Sequence, residues 1–179
     1  TIMIEEGIDP VFIFDGKPHQ LKMETLGGRR ERKVNAVSKW EAAIESGDMA
    51  AAKKLGPQTA EYTREMVAET KELFDCLGVT WLEAPMEAEG AAAVRCRNKE
   101  VFAVASQDWD TLLYGAPVMI RNLTSHGTRK FGRVLHAEKI VLSEMLEMHQ
   151  ITYEQLVDLG IMIGTDFHPG IKGIGPKTG

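Results

Sequence analysis

Val11-Phe-Ile-Phe14 is an unbroken apolar run closed by Asp15-Gly16, the pattern of a buried strand followed by a turn. Residues 20–46 are long, polar and helix-permissive, interrupted at Gly27-Gly28. Their apolar positions are sparse, so the predicted helix stands off the core. Gly47-Asp48 breaks it, and a short helix to Leu55 follows. From Gln58 to Leu77, apolar side chains at Met66, Val67, Leu73, Phe74 and Leu77 recur at helical spacing, and Gly78 stands where a helix is closed by a glycine. Val79–Leu82 reads as a strand, Glu87–Arg97 as a helix with alanines on its inner face, and Val101–Ala105 as another buried strand. Pro117–Leu123 predicts one more strand, Thr124–Arg133 a polar, basic loop, and residues 137–149 an amphipathic helix. Thr152 with Gln155 fits a capping box that opens a helix to about Ile163. Strands alternating with helices predict an α/β fold, a mostly parallel sheet covered on both faces.

Against that frame the acids are not scattered. Asp15 ends the first strand, Glu87 and Glu89 follow the second, and Asp108 and Asp110 end the third within Ser106-Gln-Asp-Trp-Asp110; Asp166 follows an apolar helix. The carboxyl ends of parallel strands lie along one edge, where ligands bind, so at least five of these six acids can converge. Singly each has a plain explanation: Asp15 and Asp166 as turn residues, Glu87 and Glu89 as complements to a helix dipole. Jointly, as bare anions, they would raise one another's pKa, so a convergent set implies cations. All-oxygen sites suit hard ions, chiefly Mg²⁺ or Mn²⁺. This many acids could hold two, the arrangement that clamps attacking and leaving oxygens in phosphoryl chemistry.

The net charge of −5 does not advertise nucleic acid, but its distribution does. Residues 17–40 carry seven basic against two acidic side chains, so the remainder of the chain is strongly acidic. One basic face for a polyanion and one acidic site for a cation follow from such asymmetry. Lys22 and Arg29 are seven residues apart, which places them on one face of a helix as cationic partners for a phosphodiester. In Gly170-Ile-Lys-Gly-Ile-Gly-Pro-Lys177 the close glycines, Gly173 and Gly175 among them, let backbone N–H groups point at an anion. Lys172 and Lys177 add charge, so this stretch reads as a hairpin for the DNA backbone.

Composition sets the outer bounds. The 179 residues are 44% apolar and 26% charged, one domain with at most a small appendage, which excludes wholesale disorder and a fibrous repeat. No apolar run approaches the roughly 18–20 residues of a membrane helix. Cys76 and Cys96 make neither a disulfide framework nor a zinc quartet and are expected to be reduced thiols of an intracellular protein. The chain begins at Thr1 and stops at Gly179 within a glycine-rich turn, so it is expected to be a piece of something longer.

Phe14-Asp-Gly-Lys-Pro18 with Lys22 and Arg29, Ala84-Pro-Met-Glu-Ala-Glu89, Ala105-Ser-Gln-Asp-Trp-Asp110-Thr-Leu-Leu, Arg121-Asn-Leu-Thr124, and Gly164-Thr-Asp166 running into Gly173-Ile-Gly-Pro-Lys177 together resemble the flap endonucleases of the XPG-type structure-specific 5′ nucleases, nearest to archaeal members. The resemblance covers nearly the whole chain, in order.

It implies a PIN-like nuclease fold in residues 1–150, with a helical arch over about 20–55 through which a 5′ flap threads, and the start of a helix-two-turn-helix DNA-binding element in 151–179. It further implies two-metal hydrolysis of phosphodiester bonds in branched DNA during replication and repair. Asp15, Glu87, Glu89, Asp108, Asp110 and Asp166 match the family's metal-binding acids, and Lys22 and Arg29 its arch residues that act on the scissile phosphate. Mg²⁺, replaceable by Mn²⁺, is the implied cofactor, with K⁺ at the Gly170–Gly175 hairpin. A sliding clamp is the implied partner through a C-terminal tail, and the location is cytoplasmic in an archaeon or nuclear in a eukaryote. Met86 stands where the family commonly has Ser, and Gly90 where it has Ala. A further metal-site Asp on an N-terminal strand, and that strand itself, have no counterpart in the sequence. This predicts an uncovered sheet edge and self-association of the chain.

Two other readings compete. Phe102-Ala-Val-Ala-Ser-Gln-Asp108-Trp-Asp110-Thr111 resembles the apolar strand and D-x-D-x-T of haloacid-dehalogenase-type phosphatases, with Asp108 as nucleophile. That reading needs a second acidic pair, and no Asp-Asp follows Asp110. The other is a catalytically incomplete DNA-binding fragment, which keeps the basic segment and the hairpin without a competent site.

Overall fold

The computed structural model describes residues 2–60, 62–130 and 132–178. In chain order the elements are α1 (Ile2–Glu5), β1 (Val11–Phe14), α2 (Met23–Glu45), α3 (Met49–Thr59), α4 (Arg64–Leu77), β2 (Thr80–Glu83), α5 (Ala88–Arg97) and β3 (Val104–Ala105). There follow α6 (Asp110–Leu113), β4 (Val118–Arg121), β5 (Arg129–Lys130), β6 (Arg133–Val134), β7 (Glu138–Val141), α7 (Leu142–His149) and α8 (Tyr153–Ile163). They form two compact units, Thr1–Pro18 with Val79–Gly179, and His19–Gly78. No helix among the described residues is long and apolar enough to cross a membrane.

In the first unit β1 runs parallel to β2, Val11 opposite Thr80 and Phe14 opposite Glu83. β3 pairs in parallel with β4, and β7 closes on β4 antiparallel, Arg121 opposite Glu138. The expected α/β fold with parallel pairing is present in β1–β2 and β3–β4, and the described strands are divided into that parallel pair, a mixed three-stranded sheet and a small β5–β6 hairpin.

Three local causes are visible. Val101–Ala105 contributes only two ladder residues, because the chain bends at Val101 and Phe102 and leaves Phe102 75% exposed. The stretch expected to be a helix over 137–149 is divided: the β-branched Ile140 and Val141 extend beside β4, and the helix starts only at Leu142. The expected loop 124–133 contains the β5–β6 pair, with Gly132 at φ 76° supplying its left-handed turn residue; Phe131 lies outside the described residues.

Two small apolar clusters hold the unit, Ala93, Cys96, Val104 and Ala116 in one, Leu112, Met119 and Leu142 in the other. The alanines of α5 let that helix approach β3 closely, and Cys96, buried among them, is unbridged. The Thr152–Gln155 capping box opens α8, and the Tyr153 hydroxyl donates to the Leu113 carbonyl at 2.6 Å, tying α8 to α6.

In the second unit a 3₁₀ turn, Gln20–Lys22, leads into α2, which buries only Ala36 and Ala43. The expected interruption at Gly27-Gly28 is absent. Neither glycine has positive φ, and strong helix formers flank both. α3, capped by Asp48 accepting the Ala51 N–H at 2.9 Å, continues past the expected end at Leu55 to Thr59. Pro57 lies in its last turn, two residues before the helix ends. The helix expected over Gln58–Leu77 is broken instead: the chain extends at Ala60, Glu61 lies outside the described residues, and the Thr63 hydroxyl caps a new start at Arg64. Gly78, at φ 68°, closes α4 in the left-handed conformation.

A Cβ at Gly27 or Gly28 would meet nothing within 4 Å. Gly27→Ala and Gly28→Ala are each expected to stabilise α2 by about 0.5–1 kcal/mol, read as a rise in the melting midpoint. A fall would show that α2 must bend there.

Candidate metal centre

Where β1 and β2 end, the chain stays laced together. The Ala84 N–H donates to the Phe14 carbonyl at 2.9 Å, and the Gly16 N–H to the Met86 carbonyl at 2.7 Å. Gly16 is obligatory there, since a Cβ would lie 1.9 Å from the Ala84 oxygen and 2.9 Å from the Pro85 carbonyl. This places Asp15 beside the start of α5, and its Oδ1 accepts the Ala88 N–H at 2.8 Å. Asp15 thus caps a helix 73 residues away in sequence. Glu87, which holds the N-cap position, makes no side-chain cap of its own.

One carboxylate oxygen from each of Asp15, Glu87 and Glu89 lies within 4.8 Å of the others. Burial holds the Glu89 carboxyl above the usual glutamate range. The hydrogen bond from its own backbone opposes that shift, and the negative charges of Asp15, Asp108 and Glu87 add to it. Asp108 therefore lies within electrostatic reach of Glu89. Its N–H donates to Ser106 Oγ at 3.0 Å, and its Oδ1 accepts the Asp110 N–H at 3.0 Å at the start of α6.

Among the described residues the geometry brings together three of the six acids, with Asp108 near enough for its charge to act on Glu89. Asp110 is carried into the first turn of α6, and Asp166 comes from the turn between Thr165 and His168 rather than from a strand; both stand outside the three-acid cluster. Three hard oxygen donors that repel one another when ionised fit a divalent cation of the Mg²⁺ type and suit neither thiophilic metals nor an anion.

The basic residues are distributed differently. Lys22 sits at the N-cap of α2 and Arg29 two turns along it, both within the second unit. In the first unit, Gly170 and Gly173 take positive φ (79° and 94°), and a Cβ at Gly170 would lie 2.5 Å from the Ile163 carbonyl oxygen. The hairpin's amides are not all turned outward. The Ile174 N–H donates to the Ile171 carbonyl, and the Gly175 N–H to Thr178 Oγ1 at 2.9 Å. Lys172 and Lys177 are exposed beside them.

One pairing was not read from the sequence. The Arg121 guanidinium carbon stacks 4.4 Å from the Trp109 ring centroid. Arg121 Nη1 is 3.8 Å from Glu138 Oε2, and its buried Nε has no hydrogen-bond partner among the described residues. An unsatisfied buried N–H costs about 1–3 kcal/mol, so this stack is held against a local penalty. The Asp-Trp-Asp spacing was its only sequence signal.

The XPG N-terminal domain family model matches residues 1–36, and the XPG I-region model residues 78–166. Flap endonuclease 1 of Methanoculleus marisnigri is 47% identical over 98% of this chain and 54% of its own length. The solved flap endonuclease-1 from Methanococcus jannaschii is 40% identical, with a TM-score of 0.68 over 98% of this chain and 54% of that one. The catalytic core of Rad2 in complex with DNA substrate is 27% identical, with a TM-score of 0.70 over 98% of this chain and 46% of that one. The chain spans about half the length of the curated relatives it matches.

Proposed function

The chain belongs to the XPG nuclease family and has its PIN-like fold, and from that premise we propose that the intact protein is a structure-specific 5′ flap endonuclease that hydrolyses phosphodiester bonds in branched DNA, in replication and repair. The observation that carries the reading is the cluster of Asp15, Glu87 and Glu89 within 4.8 Å, in a chain matched by XPG models over residues 1–36 and 78–166. The same matches leave no place for the phosphatase reading of Asp108 and Asp110.

Asp15, Glu87 and Glu89 hold Mg²⁺, with Asp108, Asp110 and Asp166 completing a site for two ions; Mn²⁺ substitutes. Bound there, the ions supply an activated water and stabilise the leaving oxygen. Asp15 has a double task, since the oxygen that caps α5 fixes the direction in which its carboxylate faces. Burial raises the affinity of Glu89 for a proton, and a bound cation would favour its ionised form. Lys22 and Arg29 stabilise the charge that develops on the scissile phosphate. Lys172, Gly173, Gly175 and Lys177 hold the backbone of the duplex arm, with K⁺ at the Gly170–Gly175 hairpin.

Two partners follow from the same reading: a sliding clamp, met by sequence outside this chain, and a second copy of the chain, met at β1, whose other edge pairs with no strand among the described residues. Light scattering at micromolar concentration reads the second. An enzyme with these substrates works inside the cell.

The test is cleavage of a labelled 5′-flap duplex by the full-length protein with Mg²⁺, beside a blunt duplex and a single strand. Incision confined to the branched substrate is expected. Binding of the flap without incision would replace this reading with that of a DNA-binding fragment.

A further inference from the structure

We propose that Trp109 is a stacking platform for an unpaired nucleobase beside the carboxylate cluster, and that Arg121 backs the ring on its other side. The proposal rests on the nuclease reading above and adds a DNA subsite to it.

Trp109 stands between Asp108 and Asp110, at the N-cap of α6, in ordinary helical backbone (φ −68°, ψ −19°). The residue is 50% exposed, although an indole is the largest apolar surface a side chain can bury. The guanidinium of Arg121 covers one part of the ring at 4.4 Å. Arg121 itself is poorly placed to take a phosphate. Its side chain is only 24% exposed, Nε is buried, and Nη1 faces Glu138, its cross-strand partner. The guanidinium is therefore spent on orienting the indole, and the exposed remainder of the ring is held ready for a second flat partner.

The chemistry of that partner follows from its neighbours. The platform lies between Asp108 and Asp110, which are joined across it by the 3.0 Å bond from the Asp110 N–H to Asp108 Oδ1, so whatever stacks there lies beside two of the acids proposed for the metal site. A paired base has both faces occupied by its neighbours in the duplex, whereas an unstacked base in single-stranded DNA presents a free π face. Aromatic stacking of this kind is indifferent to base identity. The occupant is thus a nucleobase flanking the scissile phosphate, taken out of the stack.

The test uses the full-length protein. Trp109→Ala is expected to lower single-turnover cleavage of the flap substrate by about 10- to 100-fold, and Trp109→Phe to retain it within about threefold. Thermal melting of both variants separates folding from function. Trp109→Leu, which keeps apolar bulk without a π face, should behave like Ala in cleavage even where it melts like the parent.

The decisive measurement is a cycle with abasic substrates. In the wild type, removing the base at one position beside the scissile bond should cost as much as Trp109→Ala. In Trp109→Ala the same removal should cost nothing more. Losses that multiply independently, or a Trp109→Ala enzyme within twofold of the parent, overturn the platform. Should the wild type not cleave at all, the function reading fails first. The platform is then judged by quenching of Trp109 fluorescence with oligothymidylate in a Trp40→Phe, Trp81→Phe background, and absence of quenching overturns it.

Discussion

Replacing Glu89 with glutamine is expected to cut metal-dependent cleavage by about a hundred- to a thousandfold and, in the same molecule, to raise the stability of the metal-free protein. The first effect follows from its place in the cluster with Asp15 and Glu87. The second follows from the sign of its proton affinity. Burial first, and the charges of Asp15, Asp108 and Glu87 after it, hold the folded-state carboxyl above the ordinary glutamate range. Between the unfolded value and this raised one, the native state binds more protons than the unfolded chain. Stability therefore falls as pH rises through that window, and the cost is carried in full once the pH has passed the raised value.

Glutamine removes the charge and with it the repulsion. A gain of about 0.5–1 kcal/mol, a few degrees in melting midpoint, is the expected size for a half-buried group. Melts in chelator from acid to neutral pH should show the wild type losing ground to the variant as the pH rises. Added Mg²⁺ should restore the wild type and leave the variant unmoved. A variant that cleaves like the parent, or that melts no higher without metal at neutral pH, would remove Glu89 from the site.

How much of this was legible in the sequence depends on the range of the interactions involved. Val11–Phe14, the Thr152–Gln155 box and the glycine closure at Gly78 are set by a few neighbouring residues, and each forms where the pattern puts it. Glu138–Val141 could not be read in this way. Alone it continues a helical pattern, and only β4 alongside, with Arg121 facing Glu138, makes it a strand. The same distinction governs the acids. Their positions at strand ends are local facts, and the meeting of Asp15 with Glu87 and Glu89 follows from the parallel pairing of β1 with β2. That Asp15 also caps α5 joins residues 73 apart and left no mark in the sequence. Asp110 and Asp166 are carried by a helix turn and a loop, elements whose direction no periodicity encodes. Gly27-Gly28 misleads for the opposite reason: glycine permits a break without requiring one, and a cost of about 1 kcal/mol per residue is readily outweighed by the packing of α2 on α3.

Gly16→Ala provides the counterpart, because there the missing Cβ is a requirement. A methyl at that position would sit 1.9 Å from the Ala84 carbonyl oxygen and 2.9 Å from the Pro85 carbonyl, all backbone atoms that no rotamer change can move. Relief requires the turn after β1 to part from the turn after β2, which breaks the 2.7 Å bond from the Gly16 N–H to the Met86 carbonyl. It also shifts Asp15 off the Ala88 N–H. A destabilisation of about 3–5 kcal/mol is expected, at the upper end for a single substitution and far larger than the deletion of any one surface contact.

The loss should be coupled to metal affinity, since the atoms displaced are those that set Asp15 beside Glu87 and Glu89. Any Gly16→Ala protein that remains folded should bind Mg²⁺ more weakly by titration calorimetry and be rescued less by added Mg²⁺ in a melt than the parent. Asp15→Asn separates the two effects. It keeps an oxygen able to accept the Ala88 N–H, so it should melt near the parent while losing metal affinity. If Gly16→Ala melted and bound Mg²⁺ like the parent, the junction of β1 and β2 would not be what positions Asp15, and the site would have to be built from α5 alone.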